Sequence, residues 1–233
     1  MRKYLLHILI ISFVFILAPT AHVATYAGEV EDAKEEVRKN PDNAVAHYNL
    51  GAAYYDSGMY EEAIESFKQA IRIDPDFAKA HYNLGAAYDG SGKHQKVIES
   101  YKQAIRIDPD FADAHFFLGA AYYDSGMYEE AIESFKQAIR IDPDSAVHFL
   151  LGCTYYESGK YEDAIESYKQ AIRINPDYTK VHYNIGLAYI ILNDKGYLSN
   201  ISSFIIRKYC SISYYSINLI MRIHMRNLRG QEF

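Results

Sequence analysis

Catalytic signatures are missing from this chain of 233 residues. It has no Cys-x-x-Cys pair, no Gly-rich phosphate loop and no Gly-x-Ser-x-Gly elbow. Thiol redox chemistry, phosphate cradling by backbone amides and serine-nucleophile chemistry therefore lack their usual anchors. Cysteine is down to two residues, Cys153 and Cys210, so no disulfide framework is expected even in an oxidising compartment. Basic residues are scarce through the middle: between residues 28 and 194 there are 16 Lys+Arg against 29 Asp+Glu, a balance of −13. That deficit argues against nucleic acid, whose phosphates need Lys and Arg, and against docking on anionic lipid. Only one long apolar run is evident, Tyr4 to Ala18, shorter than the roughly 20 residues of a spanning helix. Proline is limited to six residues, and five of them, Pro41, Pro75, Pro109, Pro143 and Pro176, are spaced 34, 34, 34 and 33 apart.

The apolar run follows Arg2 and Lys3 and precedes a small-residue stretch ending at Thr25-Tyr26-Ala27. This layout predicts a secretory signal peptide over residues 1–27, cleaved after Ala27. An uncleaved membrane anchor is the alternative. No Cys follows the run, which disfavours a lipid-anchored lipoprotein. The expected location is the bacterial periplasm or cell envelope.

The spacing of the prolines is that of a repeat. Residues 51–76, GAAYYDSGMYEEAIESFKQAIRIDPD, recur letter for letter at 119–144, and close variants begin at Gly85 and Gly152. Gly51, Gly85, Gly119, Gly152 and Gly186 lie 34, 34, 33 and 34 apart. A fixed period in this range marks a stacked repeat architecture, where each unit meets chiefly its neighbours. Within Ala44–Phe77 the apolar positions predict one helix to about Ser57, a Gly58 turn and a second helix from Tyr60 to Ile73. Glu61 and Glu62 fall in the first turn of that second helix and Arg72 in its last, where each suits the helix dipole. Pro75 pushes Asp74 out of helical geometry, and Asp76 is the expected N-cap of the next helix. Gly51 and Ala63 are small where two helices must approach closely. Val97 replaces that small alanine in the second unit and is expected to crowd its helix crossing.

The pattern His47-x2-Leu50-Gly51-x2-Tyr54, Ala63-x3-Phe67, Ala70 and Pro75 resembles the tetratricopeptide repeat. It returns as Leu84, Gly85, Tyr88, Val97, Tyr101, Ala104 and Pro109, then as Leu118, Gly119, Tyr122, Ala131, Phe135, Ala138 and Pro143. A fourth set is Leu151, Gly152, Tyr155, Ala164, Tyr168, Ala171 and Pro176, and a first half supplies Ile185, Gly186 and Tyr189. The resemblance implies an all-α solenoid of tandem antiparallel helix hairpins. Its parts are a capping helix in 28–43, repeats at 44–77, 78–111, 112–144 and 145–178, and the first helix of a truncated fifth at 179–192.

The resemblance also implies a concave groove lined by first helices and holding a protein or peptide partner. Register nominates Tyr48, Tyr82, Phe116, Phe149 and Tyr183 as one ring, with Asn49, Asn83 and Asn184 beside it. Tyr55, Asp89, Tyr123 and Tyr156 form a second ring, with Asp56, Asp124 and Glu157 beside that. Tyrosine offers contact area at low entropy cost and asparagine adaptable hydrogen bonds, and the acidic fringe favours a basic partner. The alternative is that some of these aromatics pack between units. Family members that clamp a chaperone's C-terminal carboxylate use Lys and Arg in the groove, whereas Ala52, Ala86, Asp56 and Asp124 stand in those places, so that role is disfavoured. His47, His81, His115, His148 and His182 occupy a slot that is often Trp in the family, and packing is the preferred reading over metal binding. Neighbouring repeats lie about 10 Å apart, too far for shared zinc ligands near 2 Å. No metal, cofactor or catalytic residue is expected.

The tail, 193–233, departs from the repeats. From Gly196 onward it has no Ala, Asp, Val, Thr or Pro, and from Lys195 it carries six basic residues against Glu232. A divergent cap, a membrane-surface segment and a frameshift product are the three readings, of which the last is favoured. The functional expectation is a non-enzymatic, exported interaction scaffold. The alternatives are a membrane-tethered assembly factor for secretion, pilus or envelope biogenesis, a truncated fragment of a larger repeat-containing enzyme such as a glycosyltransferase, and the product of a decaying gene. The unfinished fifth repeat leaves an apolar helix face that predicts self-association.

Overall fold

The computed structural model describes residues 28–192. The signal-like segment 1–27 and the tail 193–233 lie outside the described residues. Among the described residues there are ten helices and no strand. They are α1 (28–39), α2 (Ala44–Asp56), α3 (Tyr60–Ile73), α4 (Ala78–Gly90), α5 (His94–Ile107), α6 (Ala112–Asp124), α7 (Tyr128–Ile141), α8 (Ser145–Glu157), α9 (Tyr161–Ile174) and α10 (Thr179–Leu192). The fold is an all-α solenoid of helix hairpins. The described residues divide into two compact units, one running to Leu151 and the other starting at Gly152.

The two kinds of helix bury differently. The second helices α3, α5, α7 and α9 carry one apolar stripe; in α3 it is Ala63, Ile64, Phe67 and Ala70. Their opposite faces hold Glu, Lys and Arg in water, the usual amphipathic division. The first helices are apolar nearly all round because they are packed on more than one side. In the first unit α4 touches both α3 and α5, and Ala80, Leu84, Gly85, Ala87 and Tyr88 are buried.

Hairpin turns share one stop signal. Gly58 adopts φ 73°, its N–H donates to the Tyr55 carbonyl at 2.9 Å, and the Met59 N–H reaches back to Tyr54 at 2.8 Å. This is the Schellman arrangement, in which a left-handed residue lets two amides satisfy the last helical carbonyls. Gly92, Gly126 and Gly159 repeat it. Between hairpins, Asp74 is extended at φ −126° and ψ 94°, as the following proline requires. The Asp76 N-cap expectation needs correction. Phe77 holds the N-cap position of α4 without a side-chain bond, and Asp74 Oδ1 instead accepts from the Asp76 N–H at 3.2 Å. Where one residue is missing, before α8, Asp144 moves into the capping place and accepts from the Ala146 N–H at 2.6 Å. Asn43 does the same for α2.

Inside each hairpin a second-helix aromatic lies on a first-helix glycine. A Cβ on Gly51 would stand 2.6 Å from the Phe67 ring, and Gly85 meets Tyr101, Gly119 meets Phe135 and Gly152 meets Tyr168 at 2.5–2.8 Å. Val97, the residue expected to crowd the second hairpin, is buried at 2% exposure. Ser66, Ser100 and Ser134 are buried too, each hydroxyl donating to the carbonyl four residues back at 2.8–2.9 Å, so no polar atom is stranded there. The ring-on-glycine contact generates a stability prediction. Gly51→Ala lowers stability by about 1–3 kcal/mol, the usual cost of an overpacked core site, read as a lower urea midpoint. Gly51→Ala with Phe67→Leu loses less than the two single changes added together, because the clash partner is gone.

Candidate functional site

The nominated aromatic positions fall into two sets with different surroundings. Tyr48 is half-buried, its ring 5.8 Å from Phe67 and 5.1 Å from Phe77, and its hydroxyl accepts from Asn83 Nδ2 at 2.8 Å. Tyr82 repeats the arrangement with Tyr101 at 5.7 Å and Phe111 at 5.0 Å. Burial is the main reason its phenol is pushed up to about 12, with Asp113, Tyr55 and Tyr48 adding to it. Phe116 stacks edge-on to Phe117 at 5.0 Å and lies 6.0 Å from Phe135. Phe149 is half-buried and Asn49 is exposed. Tyr48 and Tyr82 thus couple their helices to the ring beneath and to one in the next turn, and the Asn83 amide is spent on Tyr48. In the second unit Asn184 Nδ2 lies 3.6 Å from Cys153 Sγ, and Tyr183 is 63% exposed.

At the second ring Tyr55 pairs with Tyr60 at 5.5 Å, Tyr123 with Tyr128 at 5.9 Å, and Tyr156 with Tyr161 at 5.4 Å. In the second hairpin these two places hold Asp89 and His94, with Nδ1 3.8 Å from the carboxylate. Tyr55 is 37% exposed; burial raises its phenol first, then Tyr60, Asp89 and Asp56. Sequence reasoning passed over Phe77, Phe111, Phe117 and His94. Phe117 is 40% exposed and takes the place of Asn49 and Asn83, within 5.8 Å of Tyr82 and 6.0 Å of Tyr101. That break in the asparagine pattern was the available signal.

The repeated histidines have a structural task. Nε2 of His47, His81, His115 and His182 sits 2.9–3.3 Å from the carbonyl of Pro41, Pro75, Pro109 and Pro176, respectively, tying each first helix to the turn before it. Among the described residues no cluster of three or more metal-ligating side chains occurs, and no helix is long and apolar enough to cross a membrane. A shallow cavity of about 300 Å³ lies between α5, α6 and α7, bordered by Lys102, Tyr122 and Glu130. Lys102 Nζ is 5.4 Å from the Tyr122 ring there. Cys153 lies against the Tyr168 hydroxyl at 3.5 Å, and burial pushes its thiol up, as for an inert packing cysteine.

The sequence matches family profiles described as TPR repeat over residues 52–92, 90–126 and 152–190, and as tetratricopeptide repeat over 112–145 and 33–65. No curated protein matches it. Among solved structures, one of MamA is 29% identical, with 66% of this chain and 91% of that one covered and a TM-score of 0.62. YrrB, described as a TPR protein with an unusual peptide-binding site, is 18% identical over 72% of this chain and 87% of its own, with a TM-score of 0.65. MamA from Desulfovibrio magneticus RS-1, residue 41 to the end, is 19% identical over 82% and 97%, with a TM-score of 0.62. The last two likenesses are ones of fold.

His148 departs from the other histidines because the loop before α8 is shorter. Burial holds its pKa below the ordinary value, with Asp144 opposing. The unfolded chain therefore takes up this proton at a higher pH than the folded one does. Its contribution is intact above about pH 6.5, declines as pH falls below that, and levels off under the folded pKa. Urea midpoints at pH 7.5 and 5.5 drop in the native chain, and His148→Phe makes that drop smaller.

Proposed function

The chain belongs to the tetratricopeptide repeat family, and from that premise we propose that it is a non-enzymatic scaffold that is exported to the cell envelope and holds a basic protein segment along α2, α4 and α6. Protein and peptide binding is what such repeats are used for, and YrrB, the fold relative above, is described by its peptide-binding site. One observation carries the reading to a particular surface: Phe117 and Tyr55 keep large rings in solvent, and the same three helices, α2, α4 and α6, carry the exposed carboxylates Asp56, Asp89 and Asp124. Large aromatic groups amid polar ones are typical anchors of a recognition surface. Tyr48, Tyr82 and Phe116 pack into the helices that carry it, while Asn49 and Tyr123 lie on α2 and α6 alongside. Export rests on the basic, apolar and small-residue order of residues 1–27. If that segment stays attached, the same surface serves a membrane-tethered assembly factor.

A photo-crosslinker placed at Phe117 or Tyr55 captures the partner in cells, and one placed at Lys102 does not. Capture only from Lys102 removes the proposed surface. Mass spectrometry of the periplasmic protein finds Gly28 as its first residue. A chain beginning at Met1 in the membrane fraction favours the tether.

Self-association at the C-terminal end completes the proposal. Gly186 has no described side chain within 4 Å of a Cβ position, where the other first-helix glycines meet a ring, and Tyr183 is exposed on the same helix. Size-exclusion chromatography with light scattering gives an oligomer for the full chain, and a clean monomer removes this part.

A further inference from the structure

Three hairpins set a tyrosine pair at the end of the first helix and the start of the second: Tyr55–Tyr60, Tyr123–Tyr128 and Tyr156–Tyr161. The second hairpin changes both partners at once, to Asp89 and His94. A single exchange in a packed ring pair would leave a ring facing a gap. A joint exchange replaces one kind of contact by another. The carboxylate of Asp89 is 66% exposed and the imidazole 76%, so the pair faces water rather than the core.

What surrounds Asp89 is aromatic and acidic. Gly90, the residue after it, sits where a Cβ would stand 2.7 Å from the Tyr60 ring, and Tyr60 pairs with Tyr55, so the end of α4 lies against that tyrosine pair. In keeping with this, the Asp89 charge is among those that raise the phenols of Tyr55 and Tyr101, after burial and a neighbouring tyrosine in each case. Tyr55 keeps part of its ring in solvent, and Asp56 follows it directly. The nearby lysines are occupied: Lys93 Nζ bonds Glu61 at 2.6 Å, and Lys96 Nζ lies 5.3 Å from the Tyr88 ring. A carboxylate beside an exposed aromatic face matches one side chain best. A guanidinium is flat, always charged, pairs with carboxylates through parallel N–H donors and stacks on rings. An ammonium meets the charge but not the plane.

We propose that the second hairpin carries a subsite for an arginine side chain of the bound partner, the guanidinium donating to the Asp89 carboxylate and lying against the Tyr55 ring. This rests on the scaffold reading and adds the chemistry that selects the partner. The other hairpins, with a tyrosine at this place, grip without selecting charge. Asp89 therefore sets the register of the partner on the scaffold.

The test uses the mature chain, labelled for NMR and titrated with Nα-acetyl-arginine amide, with the lysine and glutamine amides as comparison probes. The arginine probe shifts the Asp89 and Tyr55 signals and binds about threefold to tenfold tighter than the glutamine probe, as an exposed ion pair plus a cation–π contact gives. Asp89→Asn brings the arginine probe down to the glutamine level. So does Asp89→Tyr with His94→Tyr, which installs the pair the other hairpins already accommodate and keeps the helical content and urea midpoint. Equal binding of arginine and glutamine probes, arginine binding that survives both variants, or a lysine probe as tight as arginine overturns the proposal. Partner crosslinking at Phe117 that persists in the double variant, with register unchanged, also overturns it and leaves the scaffold function standing. Loss of crosslinking at Phe117 and Tyr55 in the native chain removes the scaffold surface itself.

Discussion

A ring lying on a glycine governs every complete hairpin in this chain. Phe67, Tyr101, Phe135 and Tyr168 each press on the glycine of the facing helix at a separation that leaves no room for a Cβ. The contact sets how close the two helices come. Close approach in turn buries the small residues on either side, so Ala63, Ala70, Ala131 and Ala138 are almost wholly enclosed. It also raises the first-helix tyrosines onto a floor of rings. Tyr48 and Tyr82 are held there by Phe67 and Tyr101 below and by Phe77 and Phe111 from the next turn. The proposed face is thus an outgrowth of the packing, and changing its half-buried members touches the core.

Turns between hairpins hold the repeats in line by backbone means. Proline extends the residue before it, a left-handed glycine closes each hairpin, and a histidine bonds the proline carbonyl from the following helix. This gives His47, His81, His115 and His182 a structural task. The shortened loop before α8 shows how local the scheme is. Losing one residue puts Asp144 at the helix start, where it caps, and leaves His148 governed by burial. Neighbouring repeats keep their own bonds, as expected when each unit meets chiefly the next.

Much of this was legible in the sequence because the repeat states its constraints several times over. The helix positions, the Gly58 turn, the extended Asp74 and the close approach at Gly51 all follow from residue type and spacing. The Asp76 cap did not, because the choice between Asp74, Asp76 and Phe77 depends on loop geometry that four residues of sequence leave open. The face was legible only as a set of positions. Register cannot separate Tyr48, which is packed, from Tyr55, which is partly in solvent, since both recur with the same period. Phe117 and His94 each stand among several departures of their repeat from the first copy, and sequence alone does not say which of those departures reach the same face.

The sequence by itself determined the architecture: period, helix, glycine and proline leave a stacked hairpin array as the arrangement that buries each apolar stripe. Tertiary structure alone decided which side chains are spent and which are available. Asn83 is spent on Tyr48 across 35 residues of chain, whereas Asp89 and His94 meet each other in the open. The physical reason is that periodicity fixes direction from the helix axis, while availability depends on what a neighbouring repeat places opposite.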